Sequence, residues 1–578
     1  MADYDLVIRD AEIHDGRGSP AFTGSVAVQD GRIVAVGAVD GSGGEEIDAA
    51  GCILTPGFVD IHTHYDGQVI WEDCLKPSSH HGVTTAVIGN CGVGFAPCRA
   101  EDRERLVKLM EGVEDIPGIV LTEGLRWDWE TYPEYLDAIE QRPHDINIAS
   151  YLPHSALRVY VMGARAAAGE AATAEDLSKM AALTRDAMRA GAIGLGSSRT
   201  LFHRSSEGQV VPTVDAGEEE LATIARAMGE VGHGILQIAA DYKSQTDVDG
   251  EFGVMARAAA AGGRPLSLPL TQGHERPETC DRILDLMAQA NRDGARISGQ
   301  SIPRGIGMLF GLELSLNPFC LTPAYQEIAD LPLPERLDRM RDSAVRRRIL
   351  DQPPGDPTFP LAGAIRRFDR MFETGDTVDY EPPMDSAISA RAQRAGVHPL
   401  ELVYDILTAG DGKRLLYLPF ANYAFGNLDK TYELLSRDDV VLGLGDGGAH
   451  CGIICDAAYP TFVLTYWARD RVRGKRFTLP QAIKALTSDT ARTVGLLDRG
   501  VVAPGYNADL NIIDFGRLHL HGPEIARDLP AGGRRLIQRA DGYVATIVNG
   551  EIVYQEGKDS GRRPGRLLRG PQAEPLAA

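Results

Sequence analysis

The sequence predicts an α/β fold: a (β/α)8 TIM-like barrel with a small β-sandwich domain formed from both termini. Three observations lead there. Eight short apolar runs recur between residues 57 and 446, amphipathic stretches separate most of them, and both ends of the chain read as short alternating strands.

Taken in order, residues 1–55 contain "YDLVIRDAEIHDG", "GSVAVQDGRIVAVG" and "EEIDAAGCILTP", which alternate apolar and polar residues between Gly and Asp turns. Residues 500–560 do the same with "ADLNIIDF", "YVATIVNG" and "EIVYQEG". Chain termini usually lie close together, so the two flanks are expected to share one β-domain. Residues 56–499 supply the barrel. Its strands are "GFVDIH", "TTAVIGN", "INIASYL", "GAIGLGS", "GILQIAA", "RPLSLPL", "RISGQSI" and "VVLGLGD", with helices such as "AEDLSKMAALTRDAMRAG" and "EEELATIARAMGEVG" between them. Residues 303–397 break this rhythm with a Pro- and Arg-rich stretch, which suits a lid over an active site or an added surface. Residues 561–578, "GRRPGRLLRGPQAEPLAA", read as a loose tail.

A hydrophobic content of 43% and a charged content of 24% are ordinary for a globular chain. The 81 acidic residues against 59 basic ones give a net charge of −22 and argue against nucleic acid as a partner, because its phosphates would be repelled. The eight cysteines are scattered over 578 residues, which is no disulfide framework and points to a reducing compartment. "MADYDLVIRDAEIHDG" lacks the apolar centre of a signal peptide, and no run of about 18 apolar residues suggests a membrane span. The expectation is a cytoplasmic protein, without a membrane partner, acting on a small molecule as a monomer or an oligomer.

The stretch "GFVDIHTHYD" places His62 and His64 two apart at the end of the first barrel strand. Residues two apart on a strand point to the same side, and barrel enzymes keep their chemistry at the carboxyl ends of their strands. Two imidazoles converging there can each give one nitrogen to a divalent metal. The strings "GNCGVG" and "GLGDGG" lack the Lys-Ser/Thr ending of a phosphate loop, and their glycines suit close passage of backbone past such a metal.

A β-flank followed by "GFVDIHTHYD" and, far downstream, "PGYNADLNIIDF" resembles the amidohydrolase superfamily. "HHGVTTAVIGNCGVGFAP", "LPHSALRVYVMG", "GAIGLGSSRTLFHR" and "LGLGDGGAHCGIICDA" narrow the resemblance to its N-acyl-D-amino-acid deacylase (D-aminoacylase) branch, over roughly residues 1–560. The resemblance implies roles. His62 and His64 match the strand-one metal ligands. Cys91 matches the cysteine that takes the bridging place held elsewhere in the superfamily by a carboxylated lysine, and a thiolate is a good ligand for Zn2+. Strand four, "GAIGLGSSR", offers no lysine for that place. Asp446 matches the strand-eight aspartate that touches the metal and serves as general base.

The pattern also departs from the branch. Its binuclear members supply one histidine from strand five and one from strand six. Here strand five ends in Asp241, Tyr242 and Lys243, with His233 at its opposite end, and His274 falls a few residues after strand six. Two arrangements follow. In the favoured one, His62, His64 and Asp446, with or without Cys91, hold a single Zn2+ and leave a position open for water; in the other, Asp241 or His274 replaces the absent histidines and two ions bind.

Further candidates lie near the barrel mouth. His154 and Arg158 follow strand three, Arg199, His203 and Arg204 follow strand four, and His450 comes four residues after Asp446. A guanidinium suits the free carboxylate of an N-acyl amino acid through paired hydrogen bonds. His154 and His450 suit polarisation of the scissile carbonyl. The expected function is metal-dependent hydrolysis of the amide of an N-acyl amino acid, of D configuration by the resemblance, with Asp446 as base. Hydrolysis of a cyclic or other non-peptide amide C–N bond is the alternative. A metal-free, non-catalytic homologue is a third reading.

Overall fold

The computed structural model describes residues 2–240, 242, 247–356, 359, 361–375 and 377–576. The chain is α/β, and all eight apolar runs form strands: β1 (Phe58–Asp60), β2 (Val83–Ile88), β3 (Asn147–Ser150, continued by Leu152–Pro153), β4 (Gly194–Ser198), β5 (Ile235–Ala239), β6 (Leu266–Pro269), β7 (Ile297–Ser301) and β8 (Val440–Leu442). They are almost wholly buried, as parallel strands covered on both faces are. One parallel sheet joins β1, β2 and the first part of β3; another runs from the end of β3 through β4, β5, β6 and β7 to β8.

Backbone hydrogen bonds link the two sheets at both margins. The Tyr151 N–H donates to the Ile88 carbonyl (2.9 Å) and the Ile193 N–H to the Ser150 carbonyl (3.0 Å). On the other side, the Asp446 N–H donates to the His62 carbonyl (3.1 Å) and the His64 N–H to the Gly447 carbonyl (2.7 Å). Val59, Val87, Ala149, Ile193, Ile235 and Val441, drawn from both sheets, gather in one apolar cluster.

Helices follow the strands: α1 (Arg103–Glu114), α2 (His154–Met162), α3 (Ala174–Ala190), α4 (Glu218–Val231), α5 (Val248–Gly262) and α6 (Glu278–Arg292). α3 shows how the sequence sets their limits. Thr173 and Asp176 cap each other's backbone N–H groups at its start, and Gly191, at φ 122°, ends it. Between these, Met180, Ala181, Thr184, Ala187 and Met188 form the buried stripe that a period of 3.6 requires.

Strands from both ends of the chain lie in one nine-stranded sheet. Its order is Lys558–Asp559, Glu551–Gln555, Tyr543–Val548, Leu510–Ile513, Ile53–Pro56, Tyr4–Ile13, Phe22–Gln29 and Arg32–Gly37, with Gly43–Asp48 also paired to Tyr4–Ile13. Alternate residues such as Leu6 and Ile8, Val26 and Val28, Leu510 and Ile512, and Ala545 and Ile547 point into one apolar cluster.

Two expectations need correction. The Pro- and Arg-rich interruption does not keep its expected bounds of 303–397. Ile306–Phe310 and Phe372–Glu373 both pair with Leu416–Ala421, and residues from Met308 to Leu418 share a separate apolar cluster. Its packing unit therefore continues past residue 397. The tail is not loose either. The Ile148 N–H donates to the Arg566 carbonyl (2.9 Å), the Leu568 N–H to the Ile148 carbonyl (2.7 Å) and the Gly570 N–H to the Gly191 carbonyl (2.8 Å). Arg569 pairs with Asp137 and Glu140. Such pairing of backbone against β3 leaves no composition signal. Among the described residues no helix is long and apolar enough to cross a membrane, and all eight cysteines are free thiols.

Candidate metal centre

The loop after β2 is built for close approach. At Gly196 in β4 a Cβ would lie 1.9 Å from the Gly89 carbonyl oxygen, so only glycine lets β4 pass this loop. Gly89, at φ 81°, makes the turn that follows β2. Cys91 then adopts φ 54°, a left-handed conformation that costs a non-glycine residue about 1–3 kcal/mol and is found most often at functional sites. Asp446 (φ 49°) and His450 (φ 52°) are left-handed as well. Gln237 Oε1, from β5, accepts the Cys91 N–H at 2.8 Å and fixes the loop.

His62 and His64 leave the end of β1 on one side, with ring centres 5.4 Å apart. The donor atoms of His62, His64 and Cys91 all lie within 4.8 Å of one another, and all three residues are buried. Cys91 Sγ is 3.5 Å from His62 Nε2, and Asp446 Oδ1 is 3.6 Å from the Nε2 atoms of both histidines. A tetrahedral zinc ion, with bonds of about 2.0–2.2 Å to N and O and about 2.3 Å to S, holds its donors roughly 3.3–3.6 Å apart. The donor types suit such an ion, and the Cys91–His62 and Asp446–histidine separations match it.

The surroundings of these groups set their orientation and their protonation. His62 Nδ1 lies 2.7 Å from Gln300 Oε1, so Nδ1 carries the proton and Nε2 keeps its lone pair toward Cys91 and Asp446. Gln300 is held in turn, because its amide donates to Ser267 Oγ at 2.9 Å. Burial pulls the His62 pKa down to about 4, against the pull of Asp446. Burial also opposes charge on His64, yet Glu114, then Asp446 and Cys91, hold its pKa well above the usual value. For Asp446 burial is again outweighed, here by His64, His62 and His450, and the carboxylate stays far below its ordinary range. The Cys91 thiol is pushed up to about 11 by burial, with His64 opposing. Asp60, fully buried beneath the pair, accepts the His62 N–H at 3.2 Å, and burial raises its pKa to about 7.

The remaining expectations divide. His450 Nε2 lies 3.9 Å from Asp446 Oδ2, at the centre. His203 is held by Ser198 Oγ at 2.9 Å; burial pulls its pKa to about 3, and the charges of His64 and His450 act in the same direction. Three others are corrections. His154 is fully buried, with Ser197 Oγ 2.8 Å from Nδ1 and Glu220 Oε1 3.0 Å from Nε2, so neither nitrogen is left for a substrate. Arg158 donates to Glu220 Oε1 (2.9 Å) and to the carbonyls of Pro212 and Glu170 (2.6 Å each). Arg199 donates to both Glu251 oxygens (2.7 and 3.0 Å) and to the Ala216 carbonyl. These guanidiniums tie helices to loops. Arg204 is half-buried and donates to the Gly208 carbonyl at 2.9 Å. Asp241 lies outside the described residues, and His274 is not part of the three-residue cluster.

Arg158→Ala is accordingly expected to act on stability before it acts on substrate affinity. It leaves Glu220 buried without its cation, at a cost of about 3–5 kcal/mol. Denaturant unfolding, with its midpoint compared to that of the parent protein, measures this.

Three neighbours of the centre are missing from the sequence reading: Glu114, Gln237 and Gln300. Glu114 and Gln237 are polar residues on an otherwise apolar pattern, whereas Gln300 lies among Ser298 and Ser301 and offers no such contrast. Glu114 extends the buried stripe of Leu106, Leu109, Met110 and Val113 on α1, and the two glutamines sit within buried strands. For Glu114 and Gln237 that mismatch is the available signal.

Two imidazoles, a thiol and a carboxylate at the carboxyl ends of parallel strands mark an α/β protein with a candidate metal centre. A family model described as amidohydrolase family matches residues 45–554. The chain belongs to this amidohydrolase family. It is 28% identical to an uncharacterised protein of Mycobacterium tuberculosis, over 98% of this chain and 96% of that one. It is 27% identical to a D-aminoacylase of Alcaligenes xylosoxydans xylosoxydans, over 98% of this chain and 97% of the relative. Among solved structures it resembles an N-acyl-D-glutamate deacylase of Bordetella bronchiseptica complexed with zinc and a phosphonate inhibitor. The TM-score is 0.61, with 22% identity over 98% of this chain and 99% of that one, a likeness of fold.

Proposed function

We propose that this amidohydrolase cleaves the amide bond of an N-acyl amino acid, of D configuration, at a single zinc ion held by His62, His64, Cys91 and Asp446. The observation that carries the reading is the cluster of His62, His64 and Cys91 donor atoms within 4.8 Å of one another, with Asp446 Oδ1 3.6 Å from both histidine Nε2 atoms. The similarity to a D-aminoacylase along the whole chain supports the substrate class. We also infer that the two parallel sheets are arcs of one closed barrel, given the hydrogen bonds at both margins, and that the nine-stranded sheet folds as a sandwich about its own core. The free thiols suit a reducing cytoplasm.

When bound, zinc supplies Lewis acidity for the amide carbonyl and lowers the pKa of water. The residues do the rest. Gln300 keeps His62 in the tautomer whose Nε2 can ligate. Asp446 turns Oδ1 to the two histidines and Oδ2 toward His450, 3.9 Å away, so Oδ2 can take the proton of the attacking water. The same carboxyl returns that proton to the leaving amine. His450 and His203 border this path and orient the substrate carbonyl. The unit that begins near residue 303 lies against the loop that follows Asp446: the Leu309 N–H donates to the Ile453 carbonyl (2.7 Å) and the Ser315 N–H to the Gly452 carbonyl (3.2 Å).

One observation favours a second reading. Arg158 and Arg199 are committed to internal carboxylates, which leaves Arg204 as the remaining predicted partner for a free substrate carboxylate. A cyclic amide needs no such partner. A panel of N-acyl D-amino acids, their L enantiomers and cyclic amides separates the two. Turnover of the linear D series is expected; turnover confined to cyclic amides would overturn the substrate assignment and leave the metal chemistry standing.

A further inference from the structure

We propose that Glu114 is a positioning residue for the metal centre, acting through His64. The inference rests on the reading of His62, His64, Cys91 and Asp446 as metal ligands. Glu114 is the last residue of α1 and is only 2% exposed. Its Oε1 lies 3.3 Å from His64 Nδ1, an ion-pair separation, and neither atom has a hydrogen-bond partner among the described residues. On the other face of the same ring, His64 Nε2 is 3.6 Å from Asp446 Oδ1. The Glu114 and Asp446 carboxylates thus face opposite nitrogens of one imidazole.

The placement is rigid. The Glu114 carbonyl oxygen accepts the His450 N–H, and Asp115 Oδ2 accepts the Gly452 N–H at 2.9 Å. The end of α1 is therefore fastened to the loop that carries Asp446 and His450. Glu114 Oε2 also lies 3.8 Å from His450 Nε2, whose other carboxylate neighbour is Asp446. A buried carboxylate is expensive unless it is matched by charge or hydrogen bonds, and the groups facing this one are His64 and His450. A carboxylate on Nδ1–H fixes the tautomer of a ligating histidine, aims its Nε2 and raises its basicity. Gln300 does the first two of these for His62 without charge. The two histidines are thus held by different chemistry: His62 by a neutral amide from β7, His64 by an anion from outside the strands.

The test is zinc affinity, measured by competition with a chromophoric chelator, alongside the thermal melting of the metal-free protein. Parent, Glu114→Gln and Glu114→Ala are compared. Glu114→Ala is expected to bind zinc about 10–100-fold more weakly. Glu114→Gln keeps a carbonyl that can accept from Nδ1–H but lacks the charge, so a smaller loss of several-fold is expected, without a change in melting of the metal-free protein. Should the alanine variant fail to fold, the glutamine variant decides alone. Affinities of the folded variants within about two-fold of the parent would overturn the inference, even if melting falls, because that is what a purely structural role gives. A parent protein that takes up no zinc would overturn the metal-centre reading and this inference with it. Equal binding by all three proteins would overturn this inference alone.

Discussion

Asp446→Asn is expected to lower kcat by about 10²–10⁴-fold on any amide substrate the protein turns over. The substitution is nearly isosteric and leaves the backbone hydrogen bond to the His62 carbonyl in place. It removes the proton acceptor and the negative charge that His64, His62 and His450 stabilise. Single-turnover kinetics on metal-loaded protein isolates the proton-transfer role from the loss of a ligand. An asparagine variant that kept full activity at full metal occupancy would remove Asp446 as the base.

Cys91→Ala is expected to weaken zinc binding by more than the about 10–100-fold assigned to loss of a supporting group, because it removes a ligand atom itself. Cys280→Ala serves as the comparison. Cys280 is equally buried but sits on α6, in the apolar core, and its loss is expected to leave the metal content unchanged. Equal metal content in both variants would reduce Cys91 to a packing residue. The left-handed conformation of Cys91 bears on the outcome too: alanine tolerates it no better than cysteine, so the backbone strain is the same in both proteins.

Much of this was legible before the structure. The eight apolar runs mark the eight parallel strands because buried parallel strands need continuous apolar stretches and lie between amphipathic helices. His62 and His64 stood out as a same-side pair at the end of a strand and Cys91 through the family resemblance, and the structure brings their donor atoms together. Composition and period do not report what a long side chain reaches. Arg158 and Arg199 follow the expected strands, yet each turns to a buried glutamate on a helix, a pairing set by tertiary packing alone. Glu114 lies 23 residues after Cys91 in a stretch without a motif, and nothing local shows that α1 ends against His64. The C-terminal tail failed for a related reason: its attachment to β3 is made by backbone groups, which every residue carries.

The account rests on a metal held by four named side chains, so the most direct measurement is metal content per chain by elemental mass spectrometry on freshly purified protein. About one zinc per chain is predicted from three protein ligands, or four, closing on one ion. A chelator should remove the ion together with the activity, and added zinc should restore both. Protein that carries no metal, takes up none on incubation with zinc and hydrolyses amides regardless of chelator would contradict the account at its centre.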